Sequence, residues 1–448
     1  MVKVITYGTY DLLHYGHINL LKRAKALGDY LIVGVTADDF DKTRGKINVQ
    51  QSLMERIEAV RATGIADEII IEEYEGQKID DIRKYQIDIF AIGSDWIGKF
   101  DYLNEYCKVI YLPRTEGISS TELRAEKRSI KIGLVGDGPL VIKHLKEYQY
   151  VNGAQVSAVY SVNDSIKKEF ENANVLICDD YGSLLEACDA IYLQSIPDKH
   201  EWQIREAIKR GKHVLVESPI TSSTEITTEL FLLAKEKNVI LMESIKTAYA
   251  TAYDRLLLLV KSGKIGTVVS VDSVCTSLIE EAPKWEERGL AWSGFEAWAP
   301  TALLPVYQIL GIDNIKMSLV SSFYDTQRHY DKYTKIDLLY PNATATVRVG
   351  VGAKAEGQLI ISGTKGYVYV PAPWWKTDYF EIRYENQTNN KRYFYQLDGE
   401  GIRYEIVAFV RAISSGDSRS NIEEKISIKI ADTYERFLNK SDLDEIII

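Results

Sequence analysis

The chain has 448 residues, 46% hydrophobic and 26% charged, an ordinary balance for folded domains at a length that one hydrophobic core seldom serves. Its formal net charge of −10 argues against a nucleic acid or an anionic membrane surface as partner, and no apolar run reaches the roughly 18 residues of a bilayer span. The four cysteines, Cys107, Cys178, Cys188 and Cys275, are too widely spaced for a zinc site or a disulfide framework, and the N-terminus lacks a signal-peptide layout, so a cytoplasmic chain is expected.

Residues 2–7 are predicted as a strand, 16–27 (GHINLLKRAKAL) as a helix with apolar positions three and four apart, and 30–36 as the next strand. Ser52, with Glu55 three residues later, forms a capping box that opens a second helix. Strands follow at 69–71, 87–92 and 109–112. Strands that alternate with helices predict a parallel sheet covered on both faces. A new β-α-β series starts at Ile130, after a short charged join (124–129) without Pro or Gly that predicts a stiff junction. Its strands are expected at 156–160, 175–178, 190–194, 213–217 and 239–243. Beyond about residue 250 the pattern changes to period two, in TVVSVDSVCTSL, ATATVRVGVGA, EGQLIISGTKGYVYV and DYFEIRYEN. That predicts a mostly antiparallel sheet with one face towards solvent, and helices at 401–413 and 423–438 close the chain.

The densest chemical motif is Gly8-Thr9-Tyr10-Asp11-Leu12-Leu13-His14-Tyr15-Gly16-His17, at the turn from first strand to first helix. Ligands bind in that crevice of an open α/β sheet. A helix starting at Gly16 offers N–H groups and a positive dipole end to a phosphate, and two imidazoles beside it can stabilise charge on the phosphates during attack.

This H-x-G-H turn resembles the signature of a nucleotidyltransferase superfamily, and over residues 1 to about 128 the resemblance is to its glycerol-3-phosphate cytidylyltransferases. Three further segments carry it: Lys42-Thr43-Arg44-Gly45-Lys46, the stretch GSDWIGKFD from Gly93, and Arg114-Thr115-Glu116-Gly117-Ile118-Ser119-Ser120-Thr121. The resemblance implies that CTP and a small polyol phosphate react to a CDP-polyol and PPi, with Mg²⁺ bridging the phosphates. His14, His17, Lys46, Arg114 and Ser119 would be catalytic. Gly8, Thr9, Tyr10, Asp11, Gly16, Thr115 and Ser120 would hold the CTP phosphates, Gly93, Asp95 and Trp96 would line the cytidine side, and Arg44 and Lys78 would hold the acceptor phosphate. Two departures bear on the acceptor: Arg44 stands where the family has Lys, and Gly64 stands where it has Arg, with Arg61 one turn earlier as the substitute.

A second motif, Gly133-Leu134-Val135-Gly136-Asp137-Gly138-Pro139, follows a strand and precedes a helix, the context of a dinucleotide fingerprint, although Val141 takes the third small position. The next strand ends Tyr160-Ser161-Val162-Asn163, without the acid that binds an NAD ribose; Ser161 suits a 2′-phosphate and favours NADP. Pro197 to His200, and then the run GKHVLVESP ending in Glu217-Ser218-Pro219, resemble the Gfo/Idh/MocA oxidoreductases over residues 130–445 or so. That resemblance implies NAD(P) held by Gly136, Gly138, Ser161, Pro197, His200 and Glu217. The family's catalytic lysine is Ser218 here, and its later histidine and acid align with Thr301 and Leu304. Lys246 and Tyr249, with Tyr253 nearby, are the substitute catalytic candidates.

The expected fold class is thus α/β: a Rossmann-like nucleotidyltransferase domain over 1–128, a dinucleotide-binding Rossmann domain over 129–250 and an α+β oxidoreductase-like domain over 251–448. The expected function is bifunctional, with a cytidylyltransferase half and an oxidoreductase half acting on related sugar or polyol phosphates. The alternative is a catalytically silent second half used for binding or oligomerisation. Both resemblances imply a homo-oligomer, and no protein-borne metal site is expected.

Overall fold

The computed structural model describes residues 1–37, 49, 51–73, 76–113, 129–151, 153–278, 293–324, 330–395, 397–416 and 420–446. The chain divides into two compact units, Met1–Ser129 and Ile130–Ile448.

The first unit is built on five parallel strands, β1 (Lys3–Gly8), β2 (Tyr30–Thr36), β3 (Glu68–Glu72), β4 (Ile89–Gly93) and β5 (Lys108–Leu112), in the order β3-β2-β1-β4-β5. Successive strand residues point to opposite faces, and both faces here are apolar. Val4, Leu31, Val33 and Ala91 meet Leu21 and Ala24 of helix α1 (Tyr15–Lys25) and Ile57 and Val60 of α2 (Leu53–Ala62). Ile5, Tyr7, Ile32 and Phe90 cover the other face with Ile82 of α3 (Gln77–Tyr85). The capping box at Ser52 forms as expected, with Glu55 accepting from the Ser52 backbone N–H. After β3 the chain returns to the far side of β1, so the topological switch lies between β1 and β4. The pairings Val4↔Ile89 and Ile5↔Phe90 bring Gly8 and Gly93 to the same edge.

The second unit opens with a six-stranded parallel sheet: β6 (Ile130–Gly136), β7 (Ala154–Tyr160), β8 (Leu176–Ile177), β9 (Ala190–Gln194), β10 (His213–Glu217) and β11 (Leu241–Ser244). The order is β11-β10-β9-β6-β7-β8, with its switch between β6 and β9. Helices α4 (Pro139–Tyr148), α5 (Asp164–Asn172), α6 (Tyr181–Ala187), α7 (Pro197–Lys209) and α8 (Thr224–Glu236) connect these strands. After α9 (Thr251–Lys261) comes a nine-stranded sheet: β12 (Val268–Thr276), β13 (Lys316–Phe323), β14 (Asp331–Leu339), β15 (Thr344–Gly350), β16 (Leu359–Gly363), β17 (Tyr367–Val370), β18 (Tyr379–Arg383), β19 (Lys391–Phe394) and β20 (Leu443–Glu445). Most of its pairs are antiparallel; β12 with β15 and β13 with β20 are parallel. The α/β class with a mostly antiparallel further sheet is borne out.

No sequence pattern predicts helix α10 (Gly294–Leu310), which packs on β12 and β15. It is buried around most of its circumference and contains Pro300 and Pro305, so it has neither an amphipathic period nor a propensity signal. Helices α11 (Ile402–Ser415) and α12 (Glu424–Leu438) close the unit close to where they are expected. The expected stiff join at 124–128 lies outside the described residues. Among the described residues no helix is long and apolar enough to cross a membrane.

Candidate functional site

In the first unit β1 ends at Gly8 and the chain winds tightly into α1, with Tyr10 and Leu12 at positive φ (53° and 47°). Gly8 admits no side chain, since a Cβ would lie 2.9 Å from the Tyr10 ring. Tyr10 is buried, and its ring meets that of His17 edge-on at 5.6 Å. It therefore supports the turn through its ring, a different part from the phosphate contact expected of it. Helix α1 begins one residue earlier than expected, at Tyr15. His14 is its N-cap, and its Nδ1 accepts the Gly16 N–H at 3.1 Å. That N–H, expected to meet a phosphate, is occupied by the cap. The same bond fixes the tautomer, because an accepting Nδ1 leaves the ring proton on Nε2. The His14 and His17 rings stack with centroids 3.9 Å apart, and both are half-buried.

Asp11 is buried, and its Oδ1 accepts the Gln51 backbone N–H at 3.0 Å, while the Leu12 N–H donates to Gln51 Oε1 at 2.7 Å. These bonds join the motif loop to the segment ahead of α2, so Asp11 is a brace for the site. Sequence reading missed Arg56, which is fully buried and donates to the carbonyls of Thr9 (2.7 Å), Thr36 (2.8 Å) and Gln51 (3.1 Å). Only its place four residues beyond the N-cap of an ordinary helix was legible.

Gly93 ends β4 beside Gly8. Asp95 follows it, exposed, and Trp96, half-buried, packs 5.7 Å from the Phe100 ring. Lys78 reaches the same edge in a buried ion pair with Glu72, its ammonium 4.7 Å above the Tyr7 ring. Glu72 also accepts from Thr36 Oγ1 at 2.9 Å, so any phosphate at Lys78 must share that ammonium with Glu72. Arg44, Lys46, Arg114, Thr115, Ser119 and Ser120 lie outside the described residues. They follow β2 and β5, whose carboxyl ends, in an all-parallel sheet, face the edge that carries the two histidines. Arg61, the expected substitute near Gly64, pairs with Glu58 on the exposed side of α2.

In the second unit the fingerprint turn has Gly136 at φ 148°, where a Cβ would lie 2.2 Å from the Gln194 carbonyl oxygen, and a Cβ on Gly138 would lie 2.3 Å from Gln194 Nε2. Gly136 is sterically required, because its neighbour is backbone, whereas a Cβ on Gly138 would displace the end of the Gln194 side chain. Ser161, expected to meet a 2′-phosphate, donates instead to Asp137 Oδ1 at 2.7 Å. Pro197 starts α7. His200 is buried below the crevice, its Nδ1 3.1 Å from the Pro219 and Ile220 carbonyls and its Nε2 3.0 Å from the Ser195 carbonyl, so it clamps the loops after β9 and β10 and does not line the crevice. Burial pushes its pKa down.

Beyond the carboxyl end of β10 lies a cavity of about 260 Å³, walled in part by His144, Glu217, Lys246, Glu296, Trp375 and Glu405. Glu217 accepts from Tyr192 (2.6 Å) and Ser244 (3.0 Å), and Ser244 also lies 2.9 Å from Glu405, which faces His144 at 3.4 Å. Burial and the neighbouring Glu405 push the Glu217 pKa up. Burial raises Glu296 to about 8, which keeps it mostly protonated at neutral pH. Lys246 lines the cavity and lies 3.4 Å from Glu400, a carboxylate that Lys376 also contacts at 3.2 Å. Tyr249, the other expected catalytic residue, is buried and donates to the Glu243 carbonyl at 3.0 Å, away from the cavity wall. Ser218 donates to buried Glu243, and Leu304 sits in the core.

Residues 5–126 match the family described as cytidylyltransferase-like, and residues 130–245 match the oxidoreductase family with an NAD-binding Rossmann fold. A glycerol-3-phosphate cytidylyltransferase of Bacillus spizizenii is 52% identical over 130 residues, 29% of this chain and 100% of that one. Two solved structures share the fold: a 3-ketoreductase from Actinomadura kijaniata in complex with NADP (TM-score 0.63, 19% identity, 71% of this chain and 99% of that one), and a levoglucosan dehydrogenase in complex with NADH (TM-score 0.61, 15% identity, 70% and 97%).

Proposed function

The chain belongs, through its first unit, to the glycerol-3-phosphate cytidylyltransferase family, and from that premise we propose that it transfers CMP from CTP to glycerol phosphate at the edge where β1 and β4 end. An oxygen of the acceptor phosphate attacks the α-phosphorus in line, the bond to the β-phosphate oxygen breaks, and PPi leaves. Nucleophile and leaving group are both anionic, so the protein's task is to position them and balance charge. The observation that carries this reading is the stacked pair of imidazoles at the start of α1, His14 presenting Nε2–H and His17 beside it at 3.9 Å. Arg56 and Asp11 hold their loop in shape. Lys46, Arg114 and Ser119, with Thr115 and Ser120, add the remaining phosphate contacts in this reading, and Arg44 and Lys78 take the acceptor. Mg²⁺ bound with CTP neutralises triphosphate charge.

The second unit, in the same reading, is an NAD(P)-dependent oxidoreductase acting on a related sugar or polyol phosphate, so that one chain makes or modifies the compound that it activates. The match over residues 130–245 and the two crowded glycines support it. NAD(P)H, when bound, supplies the hydride. Glu296 holds a proton at the cavity wall, and Lys246 and Lys376 place positive charge there for a phosphate. Ser218 and Leu304 favour the competing reading, a catalytically silent module.

One assay set tests both halves. Release of PPi from CTP is followed with glycerol 3-phosphate, glycerol 2-phosphate and longer alditol phosphates, and loss of NADH or NADPH absorbance is followed with ketose phosphates. The proposal expects fastest PPi release with a glycerol phosphate and oxidation with at least one ketose phosphate. PPi release with no polyol phosphate would overturn the first half; unchanged absorbance with every ketose phosphate would favour the silent module.

A further inference from the structure

The end of β7 lacks the acid that would hold an adenosine ribose through its hydroxyls, and Ser161 stands in its place. The hydroxyl of Ser161 is already engaged: it donates to Asp137 Oδ1 at 2.7 Å, and the Val162 backbone N–H donates to the same oxygen at 2.7 Å. The Asn163 side-chain amide donates to the Asp137 carbonyl at 3.2 Å, and the Asn163 N–H donates to Ser161 Oγ at 3.1 Å. Two bonds thus pin a carboxylate of the glycine turn across the carboxyl end of β7, a third holds the backbone carbonyl of the same residue, and a fourth orients Ser161. Asp137 is exposed, and among the described residues its Oδ2 takes no hydrogen bond and no Lys or Arg contacts it or Ser161.

We propose that Asp137 is the ribose-binding carboxylate of this chain, moved from the end of β7 into the glycine turn, and that it makes the second unit select NAD(H) over NADP(H). This rests on the reading of that unit as a dinucleotide binder. The free Oδ2 accepts from ribose hydroxyls. A 2′-phosphate would meet the same carboxylate with no cation to offset the repulsion, and the two donors that could bind it, Ser161 Oγ and the Val162 N–H, are directed at Oδ1. The turn remains open to a pyrophosphate, since both glycines keep side chains away from it.

The test is a fluorescence titration of the intact chain with NADH and with NADPH, without substrate. NADH is expected to bind at least about tenfold more tightly than NADPH. Asp137→Asn keeps the side chain's shape and removes its charge, and Asp137→Ser removes the carboxylate; each is expected to weaken NADH and to bring the two affinities within about threefold of each other. NADPH binding to the wild type as tightly as NADH would overturn the assignment while leaving the dinucleotide reading intact. Binding of neither would overturn both. An unchanged preference in both variants would show that another group selects the cofactor.

Discussion

Arg56 is a cation in the interior whose described partners are backbone carbonyls from three separate segments: the motif loop, the end of β2 and the start of α2. Removing its guanidinium takes a donor from each of those carbonyls, that of Thr36 fully buried. Arg56→Met is expected to destabilise the first unit by about 3 kcal/mol and to slow PPi release, with denaturant melts reporting the first effect. A melt shifted by less than about 0.5 kcal/mol would mean that water replaces the side chain. Glu296 gives a second residue-level prediction. Its folded pKa of about 8 lies above the ordinary carboxyl value of 4.5, so the stability it contributes is full below about 4.5 and is lost as pH rises through about 8. Glu296→Gln removes that dependence. The unfolding free energies of wild type and variant should diverge across this window by up to about 1.4 kcal/mol per pH unit, with the variant gaining as pH rises. Parallel curves from pH 5 to 9 would contradict the burial assigned to Glu296. Neither residue was legible in the sequence, because what defines each is its tertiary partners. The histidines were legible because motif, strand end and helix start coincide within one short stretch.

At the scale of elements, most strands and helices followed from local pattern. β2, β9 and β10 occupy the expected residues, since each is a short apolar run between turn signals. Two features escaped. α10 has buried positions all round and two internal prolines, so neither period nor propensity marks it. The parallel pairing of β12 with β15 depends on a long-range register that period two cannot encode. The start of α1 also differs from expectation by one residue, and that shift matters because it makes His14 a cap. Cap and catalytic group can be separated experimentally. His14→Asn supplies another good capping side chain, so thermal stability should change by no more than about 0.5 kcal/mol, while PPi release falls at least about 100-fold. Loss of fold with the variant would show that the imidazole's main part is structural.

At the scale of the molecule, the first unit has one sheet and the second has two, and each unit has hydrophobic clusters of its own. A relative from Bacillus spizizenii is matched over its whole length by 130 residues of this chain, about the span of the first unit. A chain ended after Ser129 is therefore expected to keep CTP-dependent PPi release within about threefold of the full chain, read by the same assay. Inactivity of a folded fragment would show that the second unit completes the site. Sequence reading expected a boundary near residue 128 because two motifs of different chemistry each sit at the first strand-to-helix turn of its own series. It favoured NADP for the second unit, because it looked for a selecting group only at the end of the second strand, where Ser161 stands, and assigned no role to a side chain inside the glycine turn.

The most direct test of the account is PPi release from CTP and glycerol 3-phosphate by His17→Ala, measured beside NADH binding by the same preparation. The account predicts turnover reduced at least about 100-fold with NADH affinity unchanged. Wild-type turnover in that variant would contradict it.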